Sequence, residues 1–505
     1  MRRTALAIAI ASFVGGCNFA PAYRAPVASV STSFPGDPAG PDARLATDLG
    51  WRDYFGDARL QTLIEAALAN NRDLAQSLAR VAQARAQFHI QDAQRLPQLD
   101  ASGGYTRTRQ PPSALGLGDS PTGATSLTYD NFTSNIAVSS FELDLWGRVR
   151  NLSDAARAQY LASVQGARAF RLSLISQVAS AYYSIRSGEE RIALAQDTLA
   201  GRIEGQRIAK RRLDAGVTST VDYDQTVLLT TQARADLADL QRTTDQARNL
   251  LTLLVGGPIA GSLPPARSLE DPGQFAHIDP GLPSTMLTAR PDILEAEFNL
   301  RAANANIGAA RAAFFPTISL TGQYGFAASA LSDLFKGENK SWSYGGVIGL
   351  PIFDWGRRAA SLRLNRAQAD EMSAAYQRAV QGAFREVADA LAARRGYSEQ
   401  IKAITETVAT QQRLAGTARR RYDQGLSIYL EVLDAERSLF AAQQQLIELR
   451  SSALRNDVSL YVALGGGLTE LSRPLADGPS SMMGINGKRT PSQSGRVSRE
   501  YVTDD

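Results

Sequence analysis

The chain is written twice, and this duplication limits its possible folds more than any other feature. Leu96-Pro97-Gln98-Leu99, followed by Gly103 and Tyr105, returns 219 residues later as Phe315-Pro316-Thr317-Ile318, followed by Gly322 and Tyr324. Asp73-Leu74 returns as Asp292-Ile293 at the same spacing. Farther along the spacing drops to 209. Trp146-Gly147-Arg148 pairs with Trp355-Gly356-Arg357, Arg212-Leu213-Asp214-Ala215-Gly216 with Arg421-Tyr422-Asp423-Gln424-Gly425, and Val255-Gly256-Gly257 with Leu464-Gly465-Gly466. One ten-residue length difference between Tyr105 and Trp146 accounts for every pair.

Each repeat carries the same order of elements. A stretch rich in Ala, Gln and Arg from about Ala58 to Arg95 reads as a helix stopped by Pro97, whose ring cannot continue it. Period-two alternation follows: Leu99, Ala101, Gly103 and Tyr105 share one face, Asp100, Ser102, Gly104 and Thr106 the other. A Pro/Gly/Ser-rich loop, Gln110 to Thr128, leads to a second strand from about Tyr129 to Leu145, whose alternation slips near Ser139. In the second repeat Ile318, Leu320, Gly322, Tyr324 and Phe326 line up opposite Thr317, Ser319, Thr321 and Gln323. The return strand sets Trp342, Tyr344, Ile348, Leu350 and Ile352 against Ser343, Gly345 and Gly349. The expected hairpins span 97–145 and 316–353. Apolar-out, small-or-polar-in strands suit lipid outside and water inside, and also suit half-buried hairpins of a soluble domain.

Strand arithmetic separates the two settings. Four strands in a bilayer leave unpaired edges, each orphan group costing several kcal/mol, and the smallest bacterial barrels need about eight strands. Hairpins in a membrane therefore force oligomerisation; three chains would close twelve strands, wide enough to conduct. After each hairpin a proline-free stretch, Val149 to Leu213 or Arg358 to Asp423, reads as a helix of roughly 100 Å at ~1.5 Å per residue. Each ends in a turn, at Gly216 or Gly425, and a return helix follows, Val221 to Val255 or Leu430 to Leu464. Apolar residues at threes and fours (Leu228, Ala235; Leu439, Leu446, Leu449) suit antiparallel coiled coils.

The ends of the chain speak to location. Arg2 and Arg3 precede a ten-residue apolar run, Ala5 to Val14, too short to span a bilayer. Gly15-Gly16 then lead into Cys17, the single cysteine of the chain, in a segment resembling the bacterial lipobox. Residues 1–16 are thus expected as a signal peptide and Cys17 as the lipidated N-terminus. Asn18, where Asp commonly retains lipoproteins at the inner membrane, favours the outer membrane. No later segment reads as a transmembrane helix. The remaining divisions are an N-terminal segment 17–57, repeats 58–257 and 285–467, a linker 258–284, and a tail 468–505 rich in Ser and Gly that reads as disordered at its end. Two histidines and one cysteine supply no His/Cys metal site and no Cys–His nucleophile; carboxylate-only chemistry stays open. A net charge of +4, with charges dispersed along the chain, gives no nucleic-acid signature.

Trp51-Arg52-Asp53-Tyr54-Phe55, Asn71-Arg72-Asp73-Leu74, Arg290-Pro291-Asp292-Ile293, Ala310 through Pro316, and Tyr422 through Gly425 leading into Leu433-Asp434-Ala435-Glu436-Arg437-Ser438-Leu439 carry a resemblance. From about Cys17 to Gly467 the chain resembles the outer-membrane factor family of TolC-type ducts, most of all its lipoprotein branch (OprM-like, or NodT type). The resemblance implies a mixed fold: an internally duplicated α-helical barrel of long coiled coils, four transmembrane strands per chain in a trimeric twelve-stranded barrel, and a mixed equatorial domain. It implies a homotrimeric exit duct with no catalytic role and no cofactor. An adaptor and an inner-membrane pump, of the RND type, would deliver drugs or other small toxic compounds to it. The turns at Gly216-Val217-Thr218 and Gly425-Leu426-Ser427 match the family's closed periplasmic end, which meets the adaptor. Leu430 matches a constricting apolar position, and Glu431 and Asp434 match an acidic pair forming rings at the pore entrance. Asp222 matches an acidic gate position, but Ser427 stands where members carry Arg, so a gate-locking Arg–Asp pair is not implied. Within the class the alternative is an exit for protein secretion or metal ions, though five Met and two His give no support to metal handling; outside it, the alternative is a pore-less periplasmic coiled-coil scaffold lipoprotein.

Overall fold

The computed structural model describes residues 18–27, 30–31, 44–111, 126–259, 261–279 and 290–467. The signal peptide, Cys17, most of the loop between the first two strands, part of the 258–284 linker, residues 285–289 and the 468–505 tail lie outside the described residues.

Helix α1 (Ala58–Asn70) starts at Asp57, whose carboxylate accepts the amides of Arg59 and Leu60. Helix α2 (Arg72–Ala93) follows after one residue. The continuous helix expected from Ala58 to Arg95 is therefore broken at Asn71, which is extended at φ −61° and ψ 127°. Asn71 caps α2 by accepting from Leu74 N at 2.8 Å, and its amide donates to Leu254 O at 2.9 Å. A side chain that competes with the backbone this well ends one helix and begins another.

Strands β1 (Asp100–Gln110) and β2 (Leu127–Glu142) form the first hairpin, and helices α3 (Arg148–Asp214) and α4 (Thr220–Val255) complete the repeat. The second repeat consists of α5 (Pro291–Ala312), β3 (Thr317–Ala328), β4 (Lys340–Gly349), α6 (Arg357–Asp423) and α7 (Tyr429–Ala463). Shifted by 209, the bounds of α3 coincide with those of α6. Both long helices follow a left-handed glycine, Gly147 at φ 75° and Gly356 at φ 82°, where a side chain would be strained.

The four strands make one antiparallel sheet in the order β1-β2-β3-β4. Tyr105 pairs with Phe132, Ile136 with Tyr324, and Tyr324 with Trp342. Their shared face is aromatic and aliphatic and stays exposed: Tyr324 at 55% and Trp342 at 64%. The opposite face carries Ser102, Thr106, Asn131, Thr133, Asn135, Thr321, Gln323 and Ser343. The slip of alternation near Ser139 is a bulge in β2, where the register with β3 shifts between Val138 and Phe141.

The main core lies near the middle of the long helices, where a two-residue parallel ladder (Arg44–Leu45 with Ile278–Asp279) and the turn Trp51–Tyr54 wrap them. Tyr54 stacks on Tyr461 of α7, rings 4.1 Å apart and 6° from parallel. Each hydroxyl finds a carbonyl: Tyr54 donates to Asp457 O at 2.8 Å and Tyr461 to Leu49 O at 2.9 Å. Tyr182 of α3 donates to the Asp57 carboxylate at 2.6 Å, tying the cap of α1 to the long helix. Residues before the first repeat reach the other end. Phe19 stacks on Phe315 at 4.5 Å, Trp146 lies 5.0 Å from the same ring, and the Trp146 indole donates to Pro316 O.

The Asp457 carboxyl, 3.5 Å from Arg394, is pushed up to about 6 because burial outweighs that attraction. Its folded value exceeds the unfolded one, so the folded state holds the proton more tightly. Stability from this group is greatest below about pH 4 and is lost as pH rises to about 6. Asp457→Asn should therefore gain on the wild type across that window, by on the order of 2 kcal/mol, and hold the gain above it. Melting temperatures of both proteins from pH 4 to 8 measure this; a wild type that gains on the variant would mean Arg394 outweighs burial.

Candidate functional site

The two helical tips, where α3 turns into α4 and α6 into α7, bring together the site positions read from the sequence. At the first, Gly216 takes φ +69° and the helix closes with Val217 N donating to Arg212 O and Gly216 N to Leu213 O, both at 2.9 Å. At the second, Gly425 takes φ +73°, with Leu426 N to Arg421 O at 2.8 Å and Gly425 N to Tyr422 O at 2.9 Å. A positive φ after the last carbonyls is the usual reason for glycine there.

The start of each return helix differs between the tips. Ser219 caps α4: its hydroxyl accepts from Asp222 N at 3.1 Å, while the Asp222 carboxylate accepts from Ser219 N at 3.3 Å and from the Thr218 hydroxyl at 2.9 Å. The Thr218 and Ser219 hydroxyls hold Asp222 below the usual carboxylate range. Asp222 is thus engaged as a helix cap. At the matching positions of the second tip stand Ser427, Ile428 and Glu431, and Ile428 supplies no side-chain cap. The Ser427 hydroxyl is buried without a partner among the described residues.

Leu430, Glu431 and Asp434 sit on the first turns of α7. Leu430 is 44% exposed, and the Glu431 and Asp434 side chains are half exposed or more. Glu431 lies 3.9 Å from Arg421, and Asp434 pairs with Arg437. Val217, Val221, Leu426 and Ile428 project as an apolar rim, each more than 60% exposed. Apolar side chains clustered at the ends of two helix pairs suit protein contact better than solvent.

Sequence reasoning missed what joins the tips. Arg212 of α3 donates to the Tyr422 hydroxyl at 2.5 Å with its guanidinium 5.3 Å from the ring centre, and Tyr422 lies 4.9 Å from Tyr429. Tyr429 in turn reaches α3 at Gly205, where a Cβ would fall 2.2 Å from its hydroxyl. The one sequence signal was that Arg212 and Tyr422 both lie in the duplicated turn motif.

Comparison with known proteins decides the family. The model of the outer membrane efflux protein family matches residues 63–257 and 282–466, one match per repeat. The chain belongs to this family. An antibiotic efflux pump outer membrane protein of Pseudomonas putida, ArpC, is 41% identical over 476 residues, covering 93% of this chain and 97% of the relative. The cation efflux system protein CusC of Escherichia coli is 39% identical over 465 residues, covering 92% and 98%. Among solved structures, the open state of the MtrE outer membrane channel of Neisseria gonorrhoeae superposes with a TM-score of 0.80 at 38% identity, covering 90% of this chain and 99% of that one.

As a member of the outer membrane efflux protein family, the chain is an outer-membrane channel, the exit duct of a tripartite efflux system. Its fold is the family's: a duplicated helical barrel, a mixed equatorial region, and four strands contributing to a trimeric twelve-stranded barrel. It acts with an adaptor and an inner pump, and extends from the outer membrane into the periplasm.

Proposed function

We propose that the duct passively exports antibiotics, solvents or similar small toxic compounds, without catalysis, as a homotrimer served by a periplasmic adaptor and an RND-type pump. The observation carrying this reading is the pairing of an amphipathic sheet at one end of the ~100 Å helices with two apolar-rimmed tips at the other. Relatives named for antibiotic and toluene efflux support the substrate class. Likeness to CusC supports cation export as the second reading.

In this proposal Gly216, Val217, Thr218, Gly425, Leu426 and Ser427 meet the adaptor. Leu430 constricts the three-fold entrance, and rings of Glu431 and Asp434, with Asp222 nearby, favour cations there. Cys17 carries the lipid. Supporting that, Asn18 accepts from the Asn151 side chain at 3.0 Å, and Arg311 donates to Phe19 O at 3.1 Å. The residues next to Cys17 are thereby held where strands give way to helices, at the edge of the sheet's apolar face.

Expressed with its cognate adaptor and pump in a host lacking its own ducts, the wild type should restore resistance to antibiotics and organic solvents. Leu426→Asp with Val217→Asp should abolish that resistance while the trimer still forms. Resistance regained against metal ions alone would favour the cation reading, and none at all would sink both.

In planar bilayers, Glu431→Gln with Asp434→Asn should lower cation preference and Leu430→Ser should raise conductance, while Glu448→Gln, which loses its pairs with Arg191 and Arg455 far from the tips, should leave both unchanged. Unchanged recordings in both gate variants would leave these residues as ordinary surface positions.

Palmitate should label the wild type and not Cys17→Ser, whose trimer should still insert through its strands. Label persisting on that variant would refute the anchor.

A further inference from the structure

The equatorial belt holds a groove that the duct function does not use. It lies between α1 and the C-terminal part of α4, closed by the chain leaving α4, and consists of two chambers of about 280 and 360 Å³. Leu63, Ile259 and Leu263 border both, so the chambers join along an apolar wall. The first chamber is also lined by Arg59, Arg186 and Arg248, with Glu189 as its one carboxylate.

Those charges are unevenly satisfied. Arg186 pairs with Glu189 at 2.5 Å and with Glu190 at 3.8 Å, and Arg248 pairs with the same Glu189 at 3.1 Å and with Asp245 at 2.9 Å. Arg59 has no ion pair among the described residues. Asp57, two residues away, already accepts the amides that start α1 and the Tyr182 hydroxyl. The Nε–H groups of Arg59 and Arg186 are both buried without an acceptor among the described residues. What the chamber does offer an acceptor from outside the chain is the Arg59 guanidinium, half-buried and, among the described residues, without a counter-ion beside an apolar wall.

We propose that this groove binds a monocarboxylate carried on a short acyl chain. The carboxylate takes the donors of Arg59, and the chain runs along Leu63, Ile259 and Leu263 toward the second chamber. A monoanion fits because only one guanidinium is unpaired, and a guanidinium presents a carboxylate with two parallel donors. The joined chambers fall within the ~300–1,000 Å³ range of small-molecule sites, apolar with a few convergent polar groups. The ligand would touch α1, α3, α4 and the chain after α4 together, and so stabilise the belt on binding.

The test is titration of octanoate into the purified full-length trimer in amphipol, read by calorimetry and by melting temperature. Octanoate should bind saturably, one per chain, and raise the melting temperature. Octanamide, which keeps the chain but not the charge, and acetate, which keeps the charge but not the chain, should each bind about tenfold more weakly or worse. Arg59→Gln should lose about tenfold for octanoate, and Arg59→Lys, with charge but no fork, should fall between. Absence of saturable binding, octanamide equal to octanoate, or an Arg59→Gln trimer with unchanged affinity would each overturn the proposal. If Arg59→Gln yields no trimer, the comparison of octanoate with octanamide on the wild type decides.

Discussion

Backbone N–H and C=O groups in hydrocarbon must find partners in protein, and the sheet of one chain cannot supply them. β1 and β4 are its outer strands, each paired on one side only. In water such edges are a liability; in lipid each unpaired group costs several kcal/mol. Closure of the barrel by three chains removes every edge at once, so membrane insertion and assembly are one event. The rest of the molecule hangs from that requirement. Each long helix leaves its hairpin through a glycine turn, so closing the ring of strands also fixes where six long helices start.

Packing within a chain is uneven along those helices. In α6 most buried residues lie between Tyr376 and Leu391, beside the equatorial core; below them only Val408 and Ala415 are buried. The belt is held by stacked tyrosines whose hydroxyls are all partnered, and it resists sliding between helices. Toward the tips buried residues thin out to a few such as Val432 and Leu433, and the turns are held by caps, the Arg212–Tyr422 contact, the Glu431–Arg421 pair and the Tyr429–Gly205 approach. Local opening free energy follows such contacts, so the tip end is where motion is least costly. The proposed entrance at the tips would draw on this gradient. The two tips also differ, because Ser219 closes a capping box and Ile428 cannot.

The parts of the fold legible in the sequence were those written in local periodicity and repetition. Proline-free runs marked the long helices, glycines marked their turns, and alternation marked the strands; even the bulge showed as a slip of phase. The break at Asn71 was not legible, because Asn is tolerated in helices and its deciding hydrogen bond goes to Leu254, far along the chain. Among tip residues, duplication hid an equivalence in plain view: Asp222 and Glu431 occupy the same position of the two repeats, one as a cap and the other facing Arg421. The Arg212–Tyr422 contact and the arginine-lined groove join elements remote in sequence, and no spacing rule announces such meetings.

The identical span of α3 and α6, 67 residues each, has a consequence for how such a protein changes over time. Both begin under the strands and end in tips of matching position, so a partner meeting both tips, as proposed, would find them level. An insertion of one heptad in α3 alone would push its tip about 10 Å past the other, at ~1.5 Å per residue, and the antiparallel return helix would fall short by as much. Neither half can lengthen alone. The molecule is a caliper with two jaws, and a lineage with a deeper or shallower periplasm must adjust four helical segments in step or lose the match between its two tips.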